Sequence, residues 1–372
     1  MSLSPLDDYP VHQIAEPMRR VSTGERNFYD RYYFNLHALD EDVTLIAGFG
    51  AYPNLGTFDA FATIVVGDKE TVVRASRELG VDRMDTSVGP LRVEVLEGLR
   101  KLRVVLEPNE WDFSFDLTFT GTVPAHEEPR HFWRQGERVV FDTYRLAQTG
   151  RWEGTIDVGG RRFEVEPQRW WGCRDRSWGV RPVGEPEPPG ILASQPVSML
   201  WNYAQIQFED HALIYMAHEN RDGSRVLEES VRVWNDPGRP VEHLGSPRHE
   251  LTFAPGTRTC ERAVIDFGEV DGEPIVVQVE AGRPIYLGLG TGYGRDPEWM
   301  HGMYQGPLKV QGLHFDLADP ETKKQLTGIV DMVGVFRYGD RTGYGLWENM
   351  VVGPHDQYGF QDWTDGYRPR PS

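Results

Sequence analysis

The sequence predicts an all-β protein made of two tandem antiparallel barrels or sandwiches. Three observations predict it. Apolar and polar residues alternate with period two in many short runs, as they do when successive side chains point to opposite faces of a sheet. Turn signals separate those runs at near-regular spacing, the pattern of sandwiches and barrels. Long stretches of helical periodicity are scarce. The chain has 372 residues, and at roughly 100–200 residues per domain that predicts two domains.

The segment 111–119, WDFSFDLTF, shows the alternation most plainly. Trp111, Phe113, Phe115, Leu117 and Phe119 fall on one face, with Asp112, Ser114, Asp116 and Thr118 on the other. Comparable runs before residue 160 cover 43–49, 57–66, 91–96, 102–106 and 151–158. Those after it cover 199–208, 212–217, 225–234, 263–267, 275–279, 326–338 and 343–351. Asp222-Gly223 and Asp271-Gly272 are hairpin-tip pairs that tolerate positive φ. Gly159-Gly160 and Gly339-Asp340 predict two further hairpins. Short helices are expected near 125–132 and 320–326. The stretch 181–196, RPVGEPEPPGILASQP, holds five prolines and cannot keep a regular ladder. It is read as the linker between an N-terminal domain, 1–190, and a C-terminal domain, 191–372.

Composition excludes several functions. Charged residues are 26% and hydrophobic residues 39%, so the chain is neither disordered nor a coiled coil. A net charge of −18 repels phosphate backbones and anionic lipid heads, which argues against nucleic-acid binding. The N-terminal residues lack a basic n-region and an apolar h-region, and no stretch approaches the ~18 apolar residues of a membrane span. A cytoplasmic location is expected. The only two cysteines, Cys173 and Cys260, are read as free buried thiols. There is no P-loop, no GxGxxG opening a helix, no HExxH and no GxSxG. His211 and His218 lie seven apart, on opposite faces of a strand, so they do not ligate a metal together. No metal and no organic cofactor is expected. The glycines of 288–294 are read as a bend rather than a phosphate cradle.

The most informative segment is 169–181, RWWGCRDRSWGVR, with three tryptophans, four arginines and one aspartate in thirteen residues. Two readings stand beside each other. Asp175, flanked by Arg174 and Arg176, can lock a domain junction as an ion-pair partner. It can also sit at a cavity mouth beside aromatic walls and accept or pass a proton. On the next strand, Met199, Trp201, Tyr203, Gln205 and Gln207 share a face that mixes aromatics with neutral hydrogen-bonding groups, the usual make-up of a ligand cavity. The other face, Leu200, Asn202, Ala204, Ile206 and Phe208, reads as core.

The Arg-Asp-Arg-Ser-Trp-Gly string of 174–179, the strand LWNYAQIQF of 200–208 and the hairpin ending Glu219-Asn220-Arg221-Asp222-Gly223 resemble the carotenoid 1,2-hydratase superfamily and its AttH-like relatives. The resemblance is specific only across about 170–223. It implies two lipocalin-like barrels with a ligand cavity within or between them. The family string is commonly Asp-His-x-Trp-Gly. Asp175, Trp178 and Gly179 keep their places, and Arg176 stands where the histidine is usual. The hydratase branch presents Tyr-x-Asp on the following strand, where this chain has Tyr203-Ala204-Gln205. An amide cannot deliver a proton to a carbon–carbon double bond, so the resemblance carries fold and ligand class further than reaction.

The resulting expectation is a cofactor-independent enzyme acting on a hydrophobic terpenoid, steroid or polycyclic aromatic compound, of hydratase/lyase, isomerase or cyclase type. Asp175, Arg176 and Tyr203 are the candidate catalytic groups. Arg176 would hold a substrate carboxylate or enolate, and Tyr203 would hydrogen-bond the same oxygen. Arg174, Trp178, Trp201, Gln205 and Gln207 are the candidate ligand contacts. The alternative is a non-catalytic protein that binds such a ligand. Asp331 and Glu348 are placed on strands; one of them could serve as a second acid, but an edge or solvent-face position is the expected one. Tyr344 and Trp347 are read as core or cavity wall.

Overall fold

The computed structural model describes residues 3–183, 198–270, 272–293, 296–323, 325 and 329–368. Two curled antiparallel sheets lie against each other. The first has fourteen strands and forms a nearly closed barrel. Its main path runs Leu308–Asp316, Lys69–Glu78, Thr57–Val66, Val43–Tyr52, Phe28–Ala38, Trp170–Val180, Arg138–Val158, Phe113–Gly121, Lys101–Leu106, Leu91–Glu97 and Ser87–Val88. The second has nine strands and forms a half-barrel, with Met199–Gln207 central between His211–Asn220 and Arg341–Val352. The expected linker falls largely on 184–197, outside the described residues. The Leu308–Asp316 strand, late in the chain, adds to the edge of the first sheet beside Lys69–Glu78.

The barrel interior is filled. Phe34, Phe49, Phe119 and Trp152 are buried there, with ring centroids 5.2–6.5 Å apart in edge-on contacts. Each such side chain contributes about 1.5–3 kcal/mol by leaving water. A second core fills the half-barrel, around Leu200, Ala204, Ile206, Phe208 and Trp347. A third apolar layer lies between the sheets, where Tyr33, Ile46, Phe61 and Cys173 meet Met199, Trp201, Tyr203 and Met216. The two faces read from 199–208 therefore separate as expected, one into the half-barrel core and one toward the first sheet.

Most expected strands are present, and three of the four expected hairpins turn where expected, while Asp271 of the fourth lies outside the described residues. Gly159 and Gly160 both take positive φ, 56° and 70°, between Arg138–Val158 and Arg161–Val165. Strand Phe113–Gly121 buries Phe113, Phe115, Leu117 and Phe119, while Trp111 precedes it in a turn. The helix expected near 125–132 is instead the short strand His126–Glu127 and the start of His131–Gln135, both held by Arg138–Val158. Near 320–326 the described helix is Pro320–Lys323. Strands Phe28–Ala38 and Lys69–Glu78 escape the period-two reading for one reason. Both faces of each are largely covered, so no polar face advertises the alternation. Both cysteines are free and buried. No helix among the described residues is long and apolar enough to cross a membrane.

Candidate functional site

Three neighbouring strands of the barrel present their outer faces to the half-barrel. Their register sets Arg145, Ser177 and Arg31 in one row and Ala147, Asp175 and Tyr33 in the next. Gly179, at φ 132°, lets strand Arg138–Val158 close on the middle one, since a Cβ there would lie 2.2 Å from the Asp142 carbonyl oxygen. The half-barrel answers with two rows of its own. One is His218, Trp201 and Met350; the other is Met216, Tyr203, Glu348 and Asp331.

Between these rows lies a cavity of about 140 Å³. Tyr29, Arg31, Tyr33, His131, Arg145, Asp175 and Ser177 line it from the barrel sheet, and Met199, Trp201, Glu348 and Met350 from the half-barrel. Arg181, Leu287, Tyr293 and Ile329 complete the wall. An enclosed space of ~150 Å³ takes one benzene-sized molecule. This one therefore fits a single ring, and a larger ligand would extend through its mouth.

Asp175 stands in this wall, with its carboxyl pushed up to about 7. Burial is the main cause; the Arg145 guanidinium opposes it, and the Glu128 and Glu348 carboxylates reinforce it. Glu348 and Asp331 face each other across a strand pair. Asp331 is 1% exposed, and its carboxyl is held well above the usual range, first by burial and then by the charge of Glu348. Glu348 is raised too, again by burial, with Arg145 pulling the other way. Two carboxylates so close in a dry site cannot both ionise, so the pair holds a proton. The Tyr33 hydroxyl donates to Asp331, and the Trp201 indole N–H donates to Glu348. The solvent-face placement expected for Asp331 and Glu348 is thus corrected. Each sits on a sheet face that the barrel covers.

Arg145 is fixed beneath the cavity. It pairs with Glu128, and its guanidinium lies 4.5 Å from the centre of the Tyr203 ring. The Tyr203 hydroxyl donates to Glu128 at 2.7 Å, and the Gln205 amide donates to Tyr203 at 3.0 Å. Tyr203, Gln205 and Gln207 are therefore buried supports that do not line the cavity. His131 lies parallel to Phe141 and Trp201, and its Nε2 is 3.0 Å from His218 Nδ1. Burial keeps both imidazoles neutral, lowering His131 to about 3 and His218 to about 4.

The arginines beside Asp175 lie on the other face of their strand. Arg174 turns into the barrel, where its Nε donates to Gln148 at 2.8 Å. Arg176 pairs with Asp30 and lies over the Tyr32 ring at 4.1 Å. Trp178 is 39% exposed and stacks on Tyr144. None of the three lines the cavity. Period two explains this, since residues 174, 176 and 178 oppose 175 and 177. Of the sequence candidates, the fold brings Asp175 and Trp201 together. Glu348 and Asp331 were visible only as carboxylates on strands. Glu128, Arg145, Tyr33 and His131 gave no motif signal. Among the described residues, no group of three or more His, Cys, Asp or Glu is arranged to hold a metal ion.

The chain is similar to several solved structures. A putative AttH from Nitrosomonas europaea aligns with a TM-score of 0.54 at 14% identity, covering 92% of this chain and 98% of that one. Kievitone hydratase from Nectria haematococca aligns at 0.45 and 11% identity, covering 86% of this chain and 88% of that one. CghA with Sch210972 aligns at 0.47 and 11%, covering 88% and 89%. No curated protein matches the chain. A family model matches residues 3–361, nearly the whole chain, and the protein therefore belongs to the family of unknown function DUF8625.

Proposed function

We propose that the protein is an enzyme that moves protons on a small hydrophobic carbonyl compound, as a hydratase/lyase, isomerase or cyclase, without an organic cofactor. One observation carries the reading: Asp175 and Glu348, with Asp331 behind, are buried carboxyl groups with raised pKa around one aromatic-walled cavity. Asp175, pushed up to about 7, exchanges its proton near neutral pH, and acid–base catalysis of this kind contributes typically 10²–10⁴-fold. Glu348, protonated, delivers a proton to the substrate carbon. Asp331, held by Tyr33, replaces it. Asp175, ionised, takes a proton from the substrate or from an attacking water. The absence of an acid at Gln205 is then met by carboxyls from other strands. The fold shared with the AttH-like protein, and the string 174–179, support a place beside the carotenoid 1,2-hydratase superfamily. The size of the cavity favours a one-ring terpenoid over a steroid or fused aromatic.

Deuterium uptake from D2O by the one-ring enones carvone and isophorone tests this by proton NMR. Uptake above buffer that collapses in Asp175→Asn and Glu348→Gln is expected. Binding of either enone without uptake would make the protein a carrier instead, and no interaction with either would sink the reading.

A further inference from the structure

The arginines of this protein fall into two groups. Most are matched to a carboxylate: Arg145 with Glu128, Arg176 with Asp30, Arg74 with Asp296 at 3.0 Å, and Arg103 with Asp116 at 2.6 Å. Two in the cavity wall make no direct hydrogen bond to one. Arg31 is 3% exposed, and its nearest carboxylate oxygen, on Asp59, lies 3.7 Å away, beyond hydrogen-bond reach. That carboxylate is occupied elsewhere, accepting from the Tyr52 hydroxyl at 3.2 Å and from the Gly302 N–H at 2.8 Å. Arg31 Nη1 donates to Tyr52, and Nη2 is buried with no hydrogen-bond partner. Arg181 packs on rings, with its guanidinium 4.6 Å from the centre of Tyr29 and 5.6 Å from that of Tyr293. Arg31 reaches the same Tyr293 ring at 5.4 Å. Among the described residues, Arg181 makes no ion pair.

Two guanidinium groups thus share one phenol ring in the wall of one cavity. The carboxyls of that wall, Asp175 and Glu348, are both raised by burial, and the Arg181 guanidinium acts on each as an opposing positive charge. A buried guanidinium without a hydrogen-bonded counter-charge is costly, and its planar fork matches a delocalised oxyanion. Resting on the reading of this cavity as the substrate site, we infer that Arg31 and Arg181 hold a planar oxyanion of the substrate, a carboxylate or the enolate of an acidic β-dicarbonyl, against the Tyr293 end. That oxyanion would direct the reacting carbon toward Asp175 and Glu348.

Matched pairs of one-ring probes test this by calorimetry at pH 7.5. The first pair is benzoate and benzamide. The second is dimedone, ionised at that pH, and its neutral O-methyl enol ether. An anion at least tenfold tighter than its neutral partner is expected in one pair, and which pair shows it separates carboxylate from enolate. Arg181→Gln, and Arg31→Gln where it folds, should remove that preference and leave the neutral probe within twofold. Equal affinities within both pairs, or a preference that survives Arg181→Gln, overturn the inference while leaving the cavity a ligand site. Failure of all four probes to bind overturns the cavity itself, and with it the proposed function.

Discussion

The inside of the barrel and the space between the two sheets are built from the same strands to opposite ends. Inward, Phe34, Phe49, Phe119 and Trp152 fill the barrel with edge-on rings. Outward, the same strands carry Arg31, Tyr33, Arg145 and Asp175 to the half-barrel, where ionisable groups are buried beside a cavity. Close packing gives stability and leaves no room for chemistry. The interface tolerates the desolvation cost of several carboxyls because two apolar sheets clamp it from both sides. In this protein the barrel is therefore the scaffold, and its outer wall is the candidate site.

The sharpest way to separate the two regions is to damage each alone. Trp152→Ala, inside the barrel, should cost about 3–5 kcal/mol in urea unfolding. It should leave probe affinity in the cavity within twofold. A loss of affinity of tenfold or more in the folded variant would show that the barrel interior binds the ligand instead. In the interface, Asp175→Asn should lower enone exchange by about 10²-fold or more while the urea midpoint stays at or above that of wild type. Full retention of exchange would remove Asp175 from the mechanism.

Acidity gives a smaller effect with a definite sign. The Asp175 carboxyl is raised from 3.8 to about 7 by burial, so the folded state binds this proton more tightly than the unfolded chain. Its contribution to stability is complete below about pH 4 and is lost as pH rises through 7. Asp175→Asn should flatten that part of the stability profile, measured as urea midpoints from pH 4 to 8. As a base, Asp175 must be ionised, so enone exchange by wild type should fall about tenfold per unit below pH 7. A flat profile there would assign the base to another group. The smallest change is expected from Arg176→Ala. Arg176 pairs with Asp30 and lies on the opposite face of its strand from Asp175. Exchange should stay within threefold of wild type. A hundredfold loss would bring Arg176 back into the site.

Strands with one wet face were legible in the sequence. Phe113–Gly121 could be read because Ser114, Asp116 and Thr118 mark its outer side. Phe28–Ala38 could not, because Arg31, Asn35 and His37 are buried on its outward face. Asp175 was legible as an unusual residue, set in a string of arginines and tryptophans. Its partners were not. Glu348 and Asp331 are ordinary carboxylates on ordinary strands, and only their register against each other and the barrel lying over them perturb both. Arg176 misled for the complementary reason. It is one residue from Asp175 in sequence and on the far side of the sheet in space.

The amino-acid order by itself determined the all-β class, the turns at Gly159-Gly160 and Asp222-Gly223, the two faces of 199–208, and Asp175 as a residue to watch. These follow from period two and from local backbone preference, which need no knowledge of distant residues. Tertiary structure alone decided that the cavity lies between the sheets and that Glu348, Asp331, Arg31 and Arg181 border it or stand behind it. It also decided that the acids there resist ionisation. Burial and the distance between charges set those properties, and both exist only once strands far apart in the chain have been laid face to face.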